Sequence, residues 1–115
     1  MEIFGRERGF LMTIGAAEKI AEICPEQDIQ RLFELFDDKY PMIQRMKNAA
    51  FVICRLNEGY EENKSFNDPN YQPNPLREEQ VRALSIYEIN KMQAMAIGAA
   101  IPEQKVETEE NGKKK

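Results

Sequence analysis

The chain contains no histidine and no tryptophan. Without imidazole it lacks the commonest zinc ligand and the usual general base near neutral pH, and without indole it lacks the strongest cation–π platform. Most histidine-based catalytic templates are excluded at once. Cysteine is scarce as well: Cys24 and Cys54 form no C-x-x-C pair, so neither a zinc ribbon nor a thioredoxin-like motif is available, and both read as free, buried thiols. No apolar run of about 18 residues is present, and Met1-Glu2-Ile3-Phe4-Gly5-Arg6 places no basic segment ahead of an apolar stretch. Neither membrane insertion nor secretion is expected, and the chain reads as cytoplasmic. An excess of positive charge is missing too. Sixteen Lys and Arg face 20 Asp and Glu, a net charge of −4, which is the wrong sign for a generic nucleic-acid binder.

What remains is a chain of 115 residues, 42% of them apolar or aromatic, enough for one packed core without disulfides. The pattern predicts a mainly α single domain over 1–102, with four or five helices and a short N-terminal β-hairpin, followed by a disordered charged tail over 103–115. Two apolar runs around Gly5-Arg6-Glu7-Arg8-Gly9 predict the hairpin over 2–12, with a loop of about three to five residues turned by its glycines. Thr13 caps a first helix with Ile14, Ala17, Ala21 and Cys24 on one stripe, stopping before Pro25. A second helix from Pro25 to about Asp38 carries Ile29, Leu32, Phe33 and Phe36.

Pro41 starts the strongest helical signal. Met42, Met46, Ala49, Ile53, Leu56 and Tyr60 recur at steps of four and three, with Ile43, Ala50 and Cys54 as a second row, so this helix is expected at the centre of the core. Lys64 to Leu76 holds three prolines and several Asn and Asp, which predicts a long extended loop over 64–76. Val81 and Leu84 resume the helical pattern. Ser85 then caps a last helix with Ile86, Ile89, Met92, Ala96 and Ala100 on one side, ended by Pro102.

No catalytic, cofactor or metal constellation emerges. Neither a P-loop nor a dinucleotide-binding glycine pattern occurs, and the acidic pairs such as Asp37-Asp38 and Glu61-Glu62 are adjacent in sequence, so they do not converge on one helix face and read as solvated helix ends. A helix-turn-helix can be drawn from Asp28 to Tyr60, but Arg45, Lys47 and Arg55 spread around the wheel and two acids sit where a phosphate backbone would approach. Three aromatics stand out as protein-binding candidates. Phe51 lies on the polar side of the central helix, among Gln44, Lys47, Arg55 and Glu58, where either the N-terminal hairpin or a partner must cover it. Phe66 and Tyr71 belong to the Pro/Asn-rich segment, where aromatics serve as interface anchors or as staples holding the loop to the domain. Met12, Met42, Met46, Met92 and Met95 supply adaptable apolar contacts for a core or a partner.

Several segments together resemble the small tail assembly chaperones encoded by phages and prophages of Gram-positive bacteria. They are Ile3-Phe4-Gly5-Arg6 leading to Gly9-Phe10, Thr13-Ile14-Gly15-Ala16, Ile23-Cys24-Pro25, Asp28-Ile29, Asn57-Glu58-Gly59-Tyr60-Glu61-Glu62, Phe66-Asn67-Asp68-Pro69-Asn70-Tyr71 and Pro73-Asn74-Pro75-Leu76. The resemblance spans residues 1 to about 100 and implies a non-enzymatic protein that coats the tape-measure protein in the host cytoplasm and helps recruit tail-tube subunits. It also implies a longer frameshifted form, with which Gly112-Lys113-Lys114-Lys115 is compatible, although a solvated Lys tail explains the same residues. The residues themselves leave two other classes open: a small helical DNA-binding regulator and a generic protein–protein adaptor. Self-association uses the same apolar periodicity and stays open with them.

Overall fold

The structure, a computed structural model, describes residues 2–101. Pro102 and the charged segment at 103–115 lie outside the described residues. Strands β1 (Glu2–Ile3) and β2 (Arg6–Glu7) pair antiparallel, Glu2 opposite Glu7 and Ile3 opposite Arg6. Only Phe4 and Gly5 join them, both at positive φ, 53° and 76°. This is a two-residue primed turn, whose backbone twist matches that of the flanking strands where an unprimed turn would splay them, so the hairpin occupies 2–7 and not 2–12. Gly9 has a different role from turning: a Cβ there would fall 2.4 Å from the Tyr60 ring. Ile3 is buried, over Met92 of the last helix.

Helix α1 (Ile14–Ala21) begins as expected, the Thr13 side chain accepting from the Ala16 amide at 3.0 Å. Its buried stripe differs from the expected one. Ala16, Ile20 and then Cys24 face the core at four-residue steps, while Ile14 is 83% exposed. The second helix is not an α-helix. Pro25–Gln27 and Ile29–Phe36 are 3₁₀ turns, with positive φ at Glu26 and Gln27 and a kink at Arg31. A 3₁₀ turn repeats every three residues, so Ile29, Leu32 and Leu35 line up inward and Phe33 is left half exposed.

Helix α2 (Met42–Asn67) is the centre of the molecule, as its periodicity predicts. From Asn48 to Leu56 only Phe51 and Arg55 keep partial exposure, because α1, the 3₁₀ segment, α3 (Glu78–Val81) and α4 (Ile86–Ala100) all pack on α2. Each large aliphatic side chain hidden there, such as Ile53 or Leu56, contributes about 1.5–3 kcal/mol. The helix runs past Lys64, so the extended connection starts at Asp68 and Phe66 stands on helix. Pro69 sets the stop: a residue before proline is disfavoured in the α region, and Asp68 has φ −137°, ψ 102°. Helix α4 carries a complete capping box, Ser85 accepting from the Glu88 amide and Glu88 from the Ser85 amide. Ile89, Met92, Ala96 and Ala100 are buried as the stripe predicts, whereas Ile86 stays 46% exposed.

Between hairpin and α1, residues 9–13 thread across the two long helices. The Leu11 amide donates to the Leu56 carbonyl at 3.0 Å and the Met12 amide to the Ala100 carbonyl at 3.2 Å. Gly59 permits this approach, since a Cβ there would lie 2.6 Å from the Leu11 oxygen. Among the described residues no helix is long and apolar enough to cross a membrane.

Candidate functional site

Of the three aromatic candidates, Tyr71 is held within the molecule. Its hydroxyl lies 2.8 Å from both carboxylate oxygens of Glu61, to which it donates, and accepts from the Arg6 guanidinium at 2.9 Å. Arg6 and Lys64 also lie over its ring, at 5.6 and 5.2 Å. Glu61 is 1% exposed, so the reading of Glu61-Glu62 as solvated fails for the first of the pair. The carboxylate is satisfied from three sides: Tyr71, the Asn74 amide at 2.8 Å and Arg6 at 3.4 Å. One turn earlier, buried Asn57 donates to the Gly9 carbonyl at 2.9 Å and accepts from the Leu76 amide at 2.7 Å. Arg8 donates to the Asn74 carbonyl. Two polar residues of α2 thus fasten the N-terminal segment on one flank and the loop on the other.

Phe66 is 89% exposed in the last turn of α2, about 22 Å along the helix axis from Phe51. The two do not form one patch.

Phe51 is half-buried, with the Arg55 guanidinium 4.9 Å above its ring. The hairpin does not cover it. It lines a hollow of about 290 Å³ together with Ile23, Lys47, Asn48, Glu78 and Arg82. A second hollow of about 200 Å³ lies alongside, walled by Ile43 and Met46 of α2 and by Leu84, Ile86 and Ile89 across from them. Lys47 and Arg82 line both, so the two hollows adjoin at these side chains as a two-part trough. On the α2 wall, Ile43, Lys47 and Phe51 follow at four-residue steps over about 12 Å. The opposite wall is the junction of α3 and α4. Met42 and Ile43, expected in the core, are 53% and 60% exposed because the first turn of α2 projects beyond the elements packed on its middle.

The floor of this trough is fixed. Asn48, buried, donates to the Leu35 carbonyl at 2.8 Å and accepts from Gln44 at 3.0 Å, tying the start of α2 to the 3₁₀ segment. Arg55 pairs with Glu58 at 2.9 Å and reaches Glu78 at 3.7 Å. Lys47 and Arg82 have no ion pair among the described residues. Sequence reasoning placed Met46 and Ile43 in the core and so missed the trough. The available signal was the pairing of an apolar first turn with Lys47 and Phe51 in the same four-residue row.

Both thiols are free and buried. Burial pushes Cys54 up to about 12 and raises Cys24 as well, the opposite of what a nucleophile needs. Among the described residues no three His, Cys, Asp or Glu side chains group to hold a metal ion. Comparison of the chain with protein-family models, with curated proteins and with solved structures finds no match.

Proposed function

We propose that the protein is a non-enzymatic tail assembly chaperone that holds the tape-measure protein of a phage and helps recruit tail-tube subunits in the bacterial cytoplasm. The observation that carries the reading is the trough between α2 and the α3–α4 junction, open to solvent and walled by five aliphatic and methionine side chains. A holding protein needs such a surface, and a long helical client offers spaced apolar anchors to fill it. Ile43 and Ile86 face each other across the trough and carry the largest exposed apolar area there. Met46 adds an adaptable wall. The resemblance of residues 1 to about 100 to the small chaperones supplies the identity of the client.

A DNA-binding regulator finds less support. Arg55, one of its three expected contacts, is occupied by Glu58, Glu78 and the Phe51 ring, and the segment before α2 is 3₁₀ in place of a first α-helix. A generic adaptor would use the same trough with another client.

Co-expression of the tagged chain with the tape-measure and tail-tube proteins of a candidate phage tests the reading. Recovery of a stable tape-measure complex is the expected result. A tape-measure protein that aggregates to the same extent with and without this chain would refute it.

A further inference from the structure

We infer that Lys47 and Arg82 make the trough selective for an amphipathic helix that carries carboxylates beside its apolar anchors. The inference rests on reading the trough as a protein-docking groove and goes beyond it by stating the chemistry of the occupant.

Charge is the first argument. In a chain of net charge −4, the exposed Lys19, Lys39 and Arg77 hold Glu58, Glu34 and Glu79, while Lys64 rests over the Tyr60 and Tyr71 rings and Lys91 has no ion pair among the described residues. The two cations of the trough have none among the described residues. Glu78, which also lines the trough, is directed to Arg55. The cations stand where the two hollows meet, so an occupant that fills the apolar part brings its flanking residues against them. Acidic side chains there gain attraction in a partly desolvated setting, and lysines in the same places are repelled.

Shape is the second. One wall is α2 and the other the turn between α3 and α4 with the start of α4, and no strand lines the trough, so an extended peptide would find no sheet edge for its backbone. A helix satisfies its own backbone and needs only side-chain grooves. The distance of about 12 Å from Ile43 to Phe51 accommodates anchors at i, i+3 or i+4, and i+7.

The test uses the full chain, labelled for amide NMR, and three synthetic helical peptides of about 18 residues with one leucine pattern and Glu, Gln or Lys at the flanking positions. The Glu peptide is expected to shift amides of 43–51 and 82–89 and to bind about tenfold tighter than the Lys peptide. A Lys47→Glu/Arg82→Glu double variant, whose two side chains are exposed and make no internal ion pair, should reverse that order. Equal affinity for all three peptides, shifts confined to other segments, or no binding would overturn the inference. So would a single-stranded oligonucleotide that shifts the same amides more strongly than any peptide. The phage reading can fail separately, through unrecovered tape-measure protein, while the peptide preference stands.

Discussion

Glu61 and Tyr71 are joined by a hydrogen bond of 2.8 Å between a phenol and a carboxylate that is 1% exposed. A buried carboxylate is costly unless every lone pair is used, and here the loop supplies two donors, Tyr71 and Asn74, while the hairpin supplies Arg6. The loop 68–77 has no regular structure of its own, so its position depends on this contact, on Asn57 and on the hydrogen bonds from Arg6 and Arg8 to the Gln72 and Asn74 carbonyls. Tyr71→Phe removes one donor and leaves the charge in place. It should lower unfolding free energy by about 2 kcal/mol in urea titration. Phe66→Ala, at an exposed position, should change it by no more than about 0.5 kcal/mol.

Two glycines should respond to alanine with opposite sign. At Gly59 a Cβ meets the Leu11 oxygen at 2.6 Å and Thr13 Oγ1 at 2.9 Å, so Gly59→Ala must push residues 11–13 off α2, costing about 1–3 kcal/mol. Gly98 lies within α4 and has nothing within 4 Å of the same atom. Gly98→Ala should therefore stabilise by about 0.5–1 kcal/mol through the unfolded chain. Thermal unfolding of the two variants measures both.

The thiols should be silent in the folded protein. With Cys54 pushed up to about 12, its thiolate fraction at pH 8 is on the order of one in ten thousand, and burial adds a steric barrier. A disulfide-exchange reagent should label neither Cys24 nor Cys54 until denaturant is added. Rapid labelling of Cys54 in the native state would contradict the burial described.

Glu34 is the acid-sensitive group of the surface. Hydrogen bonds from Arg31, at 2.7 and 2.8 Å, and from Lys39 hold its carboxyl well below the ordinary 4.5, at about 2. Because the folded value is depressed, the contribution is complete above pH 4.5 and fades as pH falls through about 2. Carboxyl NMR should show Glu34 titrating well below the ordinary 4.5, near 2. Arg31→Gln should move its midpoint upward. An unchanged midpoint in that variant would contradict the assignment.

Long amphipathic segments were the legible part of this chain. Thr13 and Ser85 cap their helices, and α2 lies at the centre, because each signal is local or repeats over several turns. Short segments were less decisive. Over eight residues the Ile14 stripe and the Ala16–Ile20 stripe fit helical spacing equally well, and only packing on α2 selects the second. The 3₁₀ character of Ile29–Phe36 comes from tertiary fit that periodicity does not encode, and it exchanges Phe33 for Leu35 as the buried residue. The polar clasp had a signal that apolar counting passes over: Ala49, Ile53, Asn57 and Glu61 continue one buried row, its last two members polar. The trough was hidden because an exposed apolar turn and a buried one look alike until the neighbours are placed.

Recovery of the tape-measure protein by an Ile43→Asp/Ile86→Asp variant is the measurement that bears most directly on the proposed role. Both side chains are about half exposed, so the fold should survive, as circular dichroism would verify. Charges placed in the apolar trough should reduce recovery by about tenfold or more relative to wild type, while Phe66→Ala leaves it unchanged. Equal recovery by wild type and the trough variant, or none by either, would contradict the account.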